Sequence, residues 1–307
     1  MSTGAPGVRI SVITPCLNSR RYIAAAIESV LEQGCANSEH IVIDGGSTDG
    51  TLDILRRYSH LRVVSEPDSG MYDALNKGLA MVNGQFVGFL NADDCYAPDA
   101  FASINALFDD ESILAVAGQA CVFGGVVNDD QGIALRFDPM GSDLLFRSTL
   151  GNPSINAWFF RKAVFGRLGN FDSTYQVAGD REFMLRFACS GLRYLQQATL
   201  VYRYRWHPES MTFGGGKRIR EMVFREHVKM ASVYLRRHEL SSRARRMITQ
   251  ANSRDTLSRA THAIHRFAVR EFIVCCVTGM RHDPIWPLRL ANRALTALSR
   301  KVIGPLN

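Results

Sequence analysis

The chain has 307 residues, 46% hydrophobic and 21% charged, a balance that suits a folded globular protein and excludes a disordered or collagen-like one. Its net charge of +7 is unevenly spread: residues 1–216 hold 17 Lys and Arg against 23 Asp and Glu, whereas residues 217–307 hold 19 against 6. No run of about 18 apolar residues suggests a membrane span, Met1 to Gly7 lack the pattern of a secretion signal, and seven irregularly spaced cysteines argue against a disulfide framework, so a cytoplasmic setting is expected.

Val8 to Ile13 is a β-branched run stopped by Thr14-Pro15, and Ser19 to Gln33 carry Ile23, Ile27, Val30 and Leu31 at helical spacing. His40 to Asp44 is a second strand closed by Gly45-Gly46-Ser47, after which Thr48 can cap a helix through Leu52, Leu55 and Tyr58. A third strand runs from Leu61 to Ser65, a helix from Tyr72 to Val82, and a fourth strand from Gln85 to Leu90. Alternating strands and helices of this length predict a parallel sheet wrapped by helices, with the loops after the strands gathered on one edge. Beyond residue 112 the pattern loosens: Ile113 to Ala117 and Ala120 to Val127 suggest added strands, Val177 to Phe187 a helix containing Asp180, and Leu192 to Tyr204 another strand. From Lys217 the chain reads as helices. The three glycines Gly214-Gly215-Gly216 and the change of charge divide it into regions 1–216 and 217–307.

Several nucleotide chemistries are excluded by motif. The first strand is followed by Thr14-Pro15-Cys16-Leu17-Asn18 without the glycines of a dinucleotide site, and neither a P-loop nor a nucleophile elbow occurs. A different chemistry is signalled where Phe86-Val87-Gly88-Phe89-Leu90 ends in Asn91-Ala92-Asp93-Asp94. Two adjacent carboxylates at the end of a buried strand repel each other unless a cation compensates them. Ligands of open α/β sheets sit at that end, and hard oxygen ligands suit magnesium or manganese carrying a polyphosphate. An Asp-rich turn leading to a helix that starts at Pro98-Asp99 is the alternative.

Further blocks carry a resemblance. Ile10-Ser11-Val12-Ile13-Thr14-Pro15, Asp44-Gly45-Gly46-Ser47-Thr48-Asp49-Gly50-Thr51, Glu66-Pro67-Asp68 through Tyr72-Asp73-Ala74-Leu75-Asn76-Lys77-Gly78, and Phe89-Leu90-Asn91-Ala92-Asp93-Asp94 follow one another in the order and spacing of the family-2 glycosyltransferases. The wording of the third block resembles the branch that builds exopolysaccharides and other surface glycans. The resemblance covers roughly residues 8–215. It implies an α/β, A-type glycosyltransferase fold, with a mostly parallel central sheet flanked by helices and a helical C-terminal extension. It also implies inverting transfer from a nucleotide-sugar donor, UDP-linked, to a hydroxyl of a glycan or lipid-linked acceptor in surface polysaccharide synthesis.

The same resemblance implies residue roles. Asp93 and Asp94 would hold Mg2+ or Mn2+ on the donor diphosphate, with Asn91 and Ala92 beside them. Asp44 would accept hydrogen bonds from base or ribose, and Thr14, Pro15, Asn18 and Gly45 would line the base. Asp68 and Lys77 are further donor contacts, although Lys77 could equally be a solvated surface charge. Asp180, in Ala178-Gly179-Asp180-Arg181-Glu182-Phe183, would be the base that deprotonates the acceptor, with Glu182 in reserve and a helix N-cap as its plain structural alternative. The chain departs from the family pattern at Gly45, where many relatives have a second Asp, at Asn91, and at Ile155-Asn156 ahead of the Phe159-Phe160-Arg161 segment. His207 could offer an imidazole to the metal or phosphate, or be structural. Trp158 could stack on a sugar, or belong to the core.

The basic region has no zinc finger or recognition-helix motif, and no nucleic-acid partner is expected. Leu288, Ala291, Leu295, Leu298 and Val302 recur at helical spacing, with Arg289, Arg293, Arg300 and Lys301 displaced from them and Trp286 at the start. Such a helix can lie on an anionic membrane face or pack its stripe on the core. A nucleotidyltransferase on a related sheet, or a basic scaffold with an inactive transferase core, are the rival readings. The first would need a Gly-rich basic loop after strand one, which Thr14 to Asn18 lack.

Overall fold

A computed structural model describes residues 10–124, 133–137, 143–211, 216–237, 239–265 and 268–292. The chain forms two compact units, residues 1–148 with 152–215, and residues 149–151 with 216–307.

The first unit begins with alternating elements: β1 (Ile10–Cys16), α1 (Ile23–Leu31), β2 (Ser38–Asp44), α2 (Thr51–Leu55), β3 (Leu61–Ser65), α3 (Met71–Met81) and β4 (Phe86–Phe89). These four strands are parallel and ordered β3-β2-β1-β4. β1, β2 and β4 are mostly buried, as their apolar runs require, whereas β3 at the sheet edge is partly exposed. Pro15 does not stop β1 as expected; the strand runs on to Cys16, paired with Asp44 of β2. Proline is tolerated because β4 leaves the ladder at Phe89, opposite Ile13, and Pro15 then has a partner strand on one side alone. Thr48 does not cap α2. Gly50, at φ 94°, precedes that helix, and the Asp49 carboxylate accepts the Thr51 amide at 3.0 Å.

The second half of the sheet is mixed. Here lie β5 (Cys95–Tyr96), α4 (Ala100–Asn105), β6 (Ala115–Phe123), β7 (Ile133–Phe137), α5 (Leu144–Thr149), β8 (Trp158–Arg161), α6 (Ala163–Leu168), α7 (Gly179–Cys189) and β9 (Tyr194–Arg205). The order continues β4-β8-β6-β9-β5, with β7 beside β6; β4 with β8 and β8 with β6 run antiparallel, and β6 with β9 parallel. The two strands expected around residues 113–127 form one strand over its described part, passing through Gly118. A Cβ there would lie 2.2 Å from Val201, so glycine lets β9 pair closely. An aromatic layer of Phe86, Phe101, Phe108, Phe159 and Tyr202 forms the main core.

The order reverses at β1, which has β2 on one side and β4 on the other. Ligand crevices in open α/β sheets form at such a switch point, outside the carboxyl ends of the strands. The segments 16–20, 44–51, 65–70 and 90–94 leave from those ends.

The second unit contains α8 (Gly216–Leu235), α9 (Ser242–His265) and α10 (Val269–His282), followed by a helical stretch over 286–292. Ala260, Cys275 and Trp286 form its buried cluster. Trp286, for which the sequence left both a membrane face and a packed interior open, is interior at 1% exposure. Leu288 and Arg289 are exposed, whereas Leu295, Leu298, Val302, Arg293, Arg300 and Lys301 lie outside the described residues.

Candidate active site

The mouth of β1 and β2 is built by short polar side chains that tie two loops together. Asn18 adopts φ 50°. Its amide donates to Ser47 Oγ at 2.7 Å, and its Oδ1 accepts the Thr48 amide at 2.9 Å. Asp44, at the end of β2, is fully buried. Its carboxylate accepts the amides of Gly46 and Ser47 at 3.2 and 3.0 Å, the hydroxyl of Ser65 at 2.7 Å and the hydroxyl of Ser47. The Cys16 thiol approaches it at 3.6 Å. Burial pushes the Asp44 pKa up, but the Ser47 and Ser65 hydroxyls and the two amides outweigh it and hold the carboxyl below its usual range. Burial, then the Asp44 charge, push the Cys16 thiol upward, so it stays protonated and able to donate. The carboxylate expected to bind base or ribose is thus occupied by its own loop.

Two other expectations for this mouth also shift. Thr14 is fully buried and turns its hydroxyl inward to His40 Nε2 at 2.8 Å, and Pro15 is half-buried beside it. Lys77 donates to Glu66 at 2.8 Å and to the Pro67 carbonyl at 3.0 Å, so it is tied to the β3–α3 loop.

Asp68 is placed differently. Its Oδ1 accepts the Gly70 amide at 2.9 Å, while Oδ2 lies 2.6 Å from where a Cβ at Gly45 would stand. A side chain at position 45 would displace this carboxylate from where it stands. The absence of a Cβ at Gly45 lets Asp68 occupy that space.

The acidic pair after β4 is split between inside and outside. Asp94 is buried at 3% exposure. It accepts the Tyr202 hydroxyl at 2.8 Å, the Arg205 amide at 2.7 Å and the Asn91 side-chain amide at 3.0 Å. Burial first, then the Asp93 charge, push its pKa up to about 7. Asn91 is therefore an internal donor: a carboxylate at this position would add a third charge, and an amide instead stabilises Asp94. Ala92 is buried between them. Asp93 faces outward. Its Oδ2 lies 2.9 Å from His207 Nε2, and its carbonyl accepts Arg205 Nε at 2.9 Å. His207 is mostly buried, its ring 4.7 Å from that of Tyr22. Of the two carboxylates expected to share a metal, Asp93 alone is presented, and the sequence-distant His207 stands beside it.

Asp180 is in the first turn of α7, whose cap residue is Ala178, so Asp180 is not the N-cap. Its Oδ1 accepts the Tyr72 hydroxyl at 3.0 Å. Burial, then the Asp180 charge, push the Tyr72 pKa well up, so the phenol stays a donor. Gly179 makes this contact possible, since a Cβ there would lie 2.8 Å from the Tyr72 ring. Burial, then the Asp94 and Asp180 charges, push the Tyr204 phenol well up, so it stays protonated. Glu182 is taken up by Arg186 at 2.7 Å and is not free to act as a base. Trp158 is in the core, its Nε1 donating to the Pro153 carbonyl at 3.1 Å. Asn156 donates to the Tyr202 hydroxyl at 3.0 Å and so braces the Asp94 network.

Tyr72, Tyr202 and Arg205 went unassigned from sequence. The alternation Tyr202-Arg203-Tyr204-Arg205 on β9 was the available signal: polar-tipped aromatics in a buried strand need hydrogen-bond partners, and an acidic pair supplies one.

The model of the family described as glycosyl transferase family 2 matches residues 11–165. A Mycobacterium bovis protein named PGL/p-HBAD biosynthesis glycosyltransferase is 32% identical over 186 residues, covering 57% of this chain and 68% of that relative. The Bacillus subtilis protein named putative teichuronic acid biosynthesis glycosyltransferase TuaG is 42% identical over 95 residues, 29% of this chain and 38% of the relative. Among solved structures, S. aureus TarS 1–349 in complex with UDP-GlcNAc superposes with TM-score 0.69 at 16% identity, covering 89% of this chain and 81% of the other. Against the longer TarS chain this sequence spans 43% of the length. Mannosyltransferase PcManGT from Pyrobaculum calidifontis, in complex with GDP-Man and Mn2+, gives TM-score 0.58 at 18% identity, covering 99% of this chain and 91% of the other.

Proposed function

Because the chain belongs to glycosyl transferase family 2 and has the A-type glycosyltransferase fold, we propose that it is an inverting, metal-dependent glycosyltransferase of cell-surface polysaccharide synthesis. Its donor is a nucleotide sugar with UDP as the nucleotide, and its acceptor a hydroxyl of a glycan or lipid-linked glycan. The UDP-GlcNAc bound to S. aureus TarS and the teichuronic acid role in the name of TuaG support this choice of donor and product class. The division of work in the acidic pair carries the proposal: Asp94 anchors the loop from inside, while Asp93 turns outward with His207 Nε2 against its Oδ2, an oxygen and a nitrogen between which an ion could be held.

Such a donor set fits a divalent ion. Among the described residues no three His, Cys, Asp or Glu converge to hold an ion unaided. Magnesium and manganese are commonly bound through one or two protein ligands, with substrate phosphates and water completing the shell. The imidazole tilts the choice towards Mn2+ over Mg2+. When bound, the ion would neutralise the diphosphate and stabilise the leaving nucleoside diphosphate. The chain's own groups do the rest. Asp68 Oδ2, which has no partner among the described residues, accepts a ring N–H of the base, as uracil offers and cytosine does not. Asp180 takes the proton of the attacking hydroxyl. The Tyr72 hydroxyl holds one Asp180 oxygen and leaves the other for the acceptor.

Asp180→Asn tests the assignment. A positioned base contributes roughly 10²–10⁴-fold, so release of UDP from a panel of UDP-sugars, with manganese and acceptor present, should fall by that factor. UDP affinity measured by calorimetry should stay unchanged. Retained turnover removes Asp180 from the reaction, and failure of the unmodified chain to bind UDP removes the donor assignment.

A further inference from the structure

Fifteen large apolar side chains are exposed among the described residues, and eight of them fall between Ile264 and Leu288. Scattered surface apolar residues need no explanation, but a concentration of this kind marks an interaction surface. Val269, Ile273, Val277 and Met280 follow one another along α10 at intervals of four, four and three, which sets them on one face of the helix. They are 67%, 54%, 58% and 47% exposed.

The opposite face already does the packing. Cys275 is buried there, and Gly279 meets the Trp286 indole so closely that a Cβ would lie 2.3 Å from it. The second unit therefore has its core without the outer stripe. Arg270 and Arg281, both exposed, flank the stripe on one side, and Ile285, Leu288 and Arg289 are exposed just beyond it. The neighbouring carboxylates are used elsewhere: Glu271 pairs with Arg259 at 3.5 Å, and Asp283 with Arg289 at 2.9 Å. Residues 217–307 as a whole carry 19 basic against 6 acidic side chains.

We infer that the outer face of α10 docks on an anionic lipid bilayer, the helix lying in the plane of the headgroups. An apolar stripe shouldered by arginines fits that boundary, where the stripe enters the acyl region and the guanidinium groups meet lipid phosphates. No helix among the described residues is long and apolar enough to cross a membrane. A second copy of the chain fits worse. An antiparallel two-fold contact through this face would bring Arg270 of one copy against Arg281 of the other. This surface lies on α10, ahead of the stripe of Leu288, Ala291, Leu295, Leu298 and Val302 read from the sequence, of which Leu295, Leu298 and Val302 fall outside the described residues.

Co-sedimentation of the full chain with extruded vesicles tests this. Vesicles of phosphatidylcholine containing about one third phosphatidylglycerol should bind it at least about tenfold more tightly than phosphatidylcholine alone, and added salt should release it. The double variant Ile273→Glu, Val277→Glu changes exposed positions and should lose about tenfold of that binding, with its circular dichroism and UDP affinity unchanged. Arg270→Glu with Arg281→Glu should abolish the preference for anionic vesicles. Absence of binding by the unmodified chain, or equal binding by the glutamate variant, overturns the inference. So does a dimer seen by ultracentrifugation that the glutamate variant dissociates and vesicles do not affect. UDP binding read on the same samples keeps the transferase proposal separate: vesicle binding without UDP binding refutes that proposal and leaves this surface standing.

Discussion

The Tyr202 hydroxyl is the node on which the acidic loop hangs, and Tyr202→Phe isolates it. The phenol donates to Asp94 at 2.8 Å and accepts the Asn91 amide and the Asn156 side-chain amide, both at 3.0 Å. Burial, then the Asp94 charge, raise its pKa well above the ordinary tyrosine value, so it remains a neutral donor throughout the working range. Phenylalanine keeps the ring and its packing, so no large cavity confuses the result. Losing a hydrogen bond to a charged group costs about 1.5–3 kcal/mol, and each buried donor left unpaired costs about 1–3 kcal/mol. With one such bond and two such donors at stake, and partial relaxation of the loop, a loss of about 3 kcal/mol is expected. Urea denaturation followed by tryptophan fluorescence reads it as a lower midpoint at constant slope. A loss below about 1 kcal/mol would show that Asp94 is held by Arg205 and Asn91 without the phenol, and the account of a rigidly anchored inner carboxylate would fail.

Asp68→Ala should weaken UDP binding by roughly tenfold, the worth of one hydrogen bond to a charged group. The exchange Gly45→Asp with Asp68→Gly should restore much of it, because the new carboxylate starts where the old one ended; calorimetry with UDP and CDP in parallel would expose an unchanged preference as a refutation. His207→Ala should raise the manganese concentration needed for half-maximal activity by on the order of tenfold, since one of two protein ligands is lost; an unaltered titration after chelation and re-addition of metal would show the imidazole to be structural. Stability should fall on acidification because of His40, whose pKa burial and then the His60 charge lower from 6.5 to about 3. Between those values the unfolded chain takes a proton that the folded chain refuses, so each unit of pH below about 6 costs up to about 1.4 kcal/mol. His40→Asn should remove about one proton from that slope in urea denaturation series, and a slope unchanged by the substitution would contradict the assignment.

Much of the architecture was legible in the sequence because it rests on local rules. Runs such as Ile41-Val42-Ile43 and Phe86-Val87-Gly88-Phe89 have too few polar residues for anything but an interior strand, and the helical spacing between them requires crossovers. That grammar put Asp44, Asp68 and Asp93 at strand ends on one edge. What a given carboxylate does there was not legible, because it depends on partners far along the chain. Asp93 and Asp94 are neighbours with the same chemistry, yet Tyr202 and the Arg205 amide, more than a hundred residues away, draw one inward while His207 meets the other outside. Asp44 reads as a ligand carboxylate until Ser47 and Ser65 fill its lone pairs. Periodicity around Trp286 likewise states that a helix has an apolar side, and only the packing of Gly279 on the indole decides which side is covered. Sequence fixes the pattern of faces over a few residues; the covering of each face is a property of the closed fold, since burial is decided by whichever surface arrives from elsewhere.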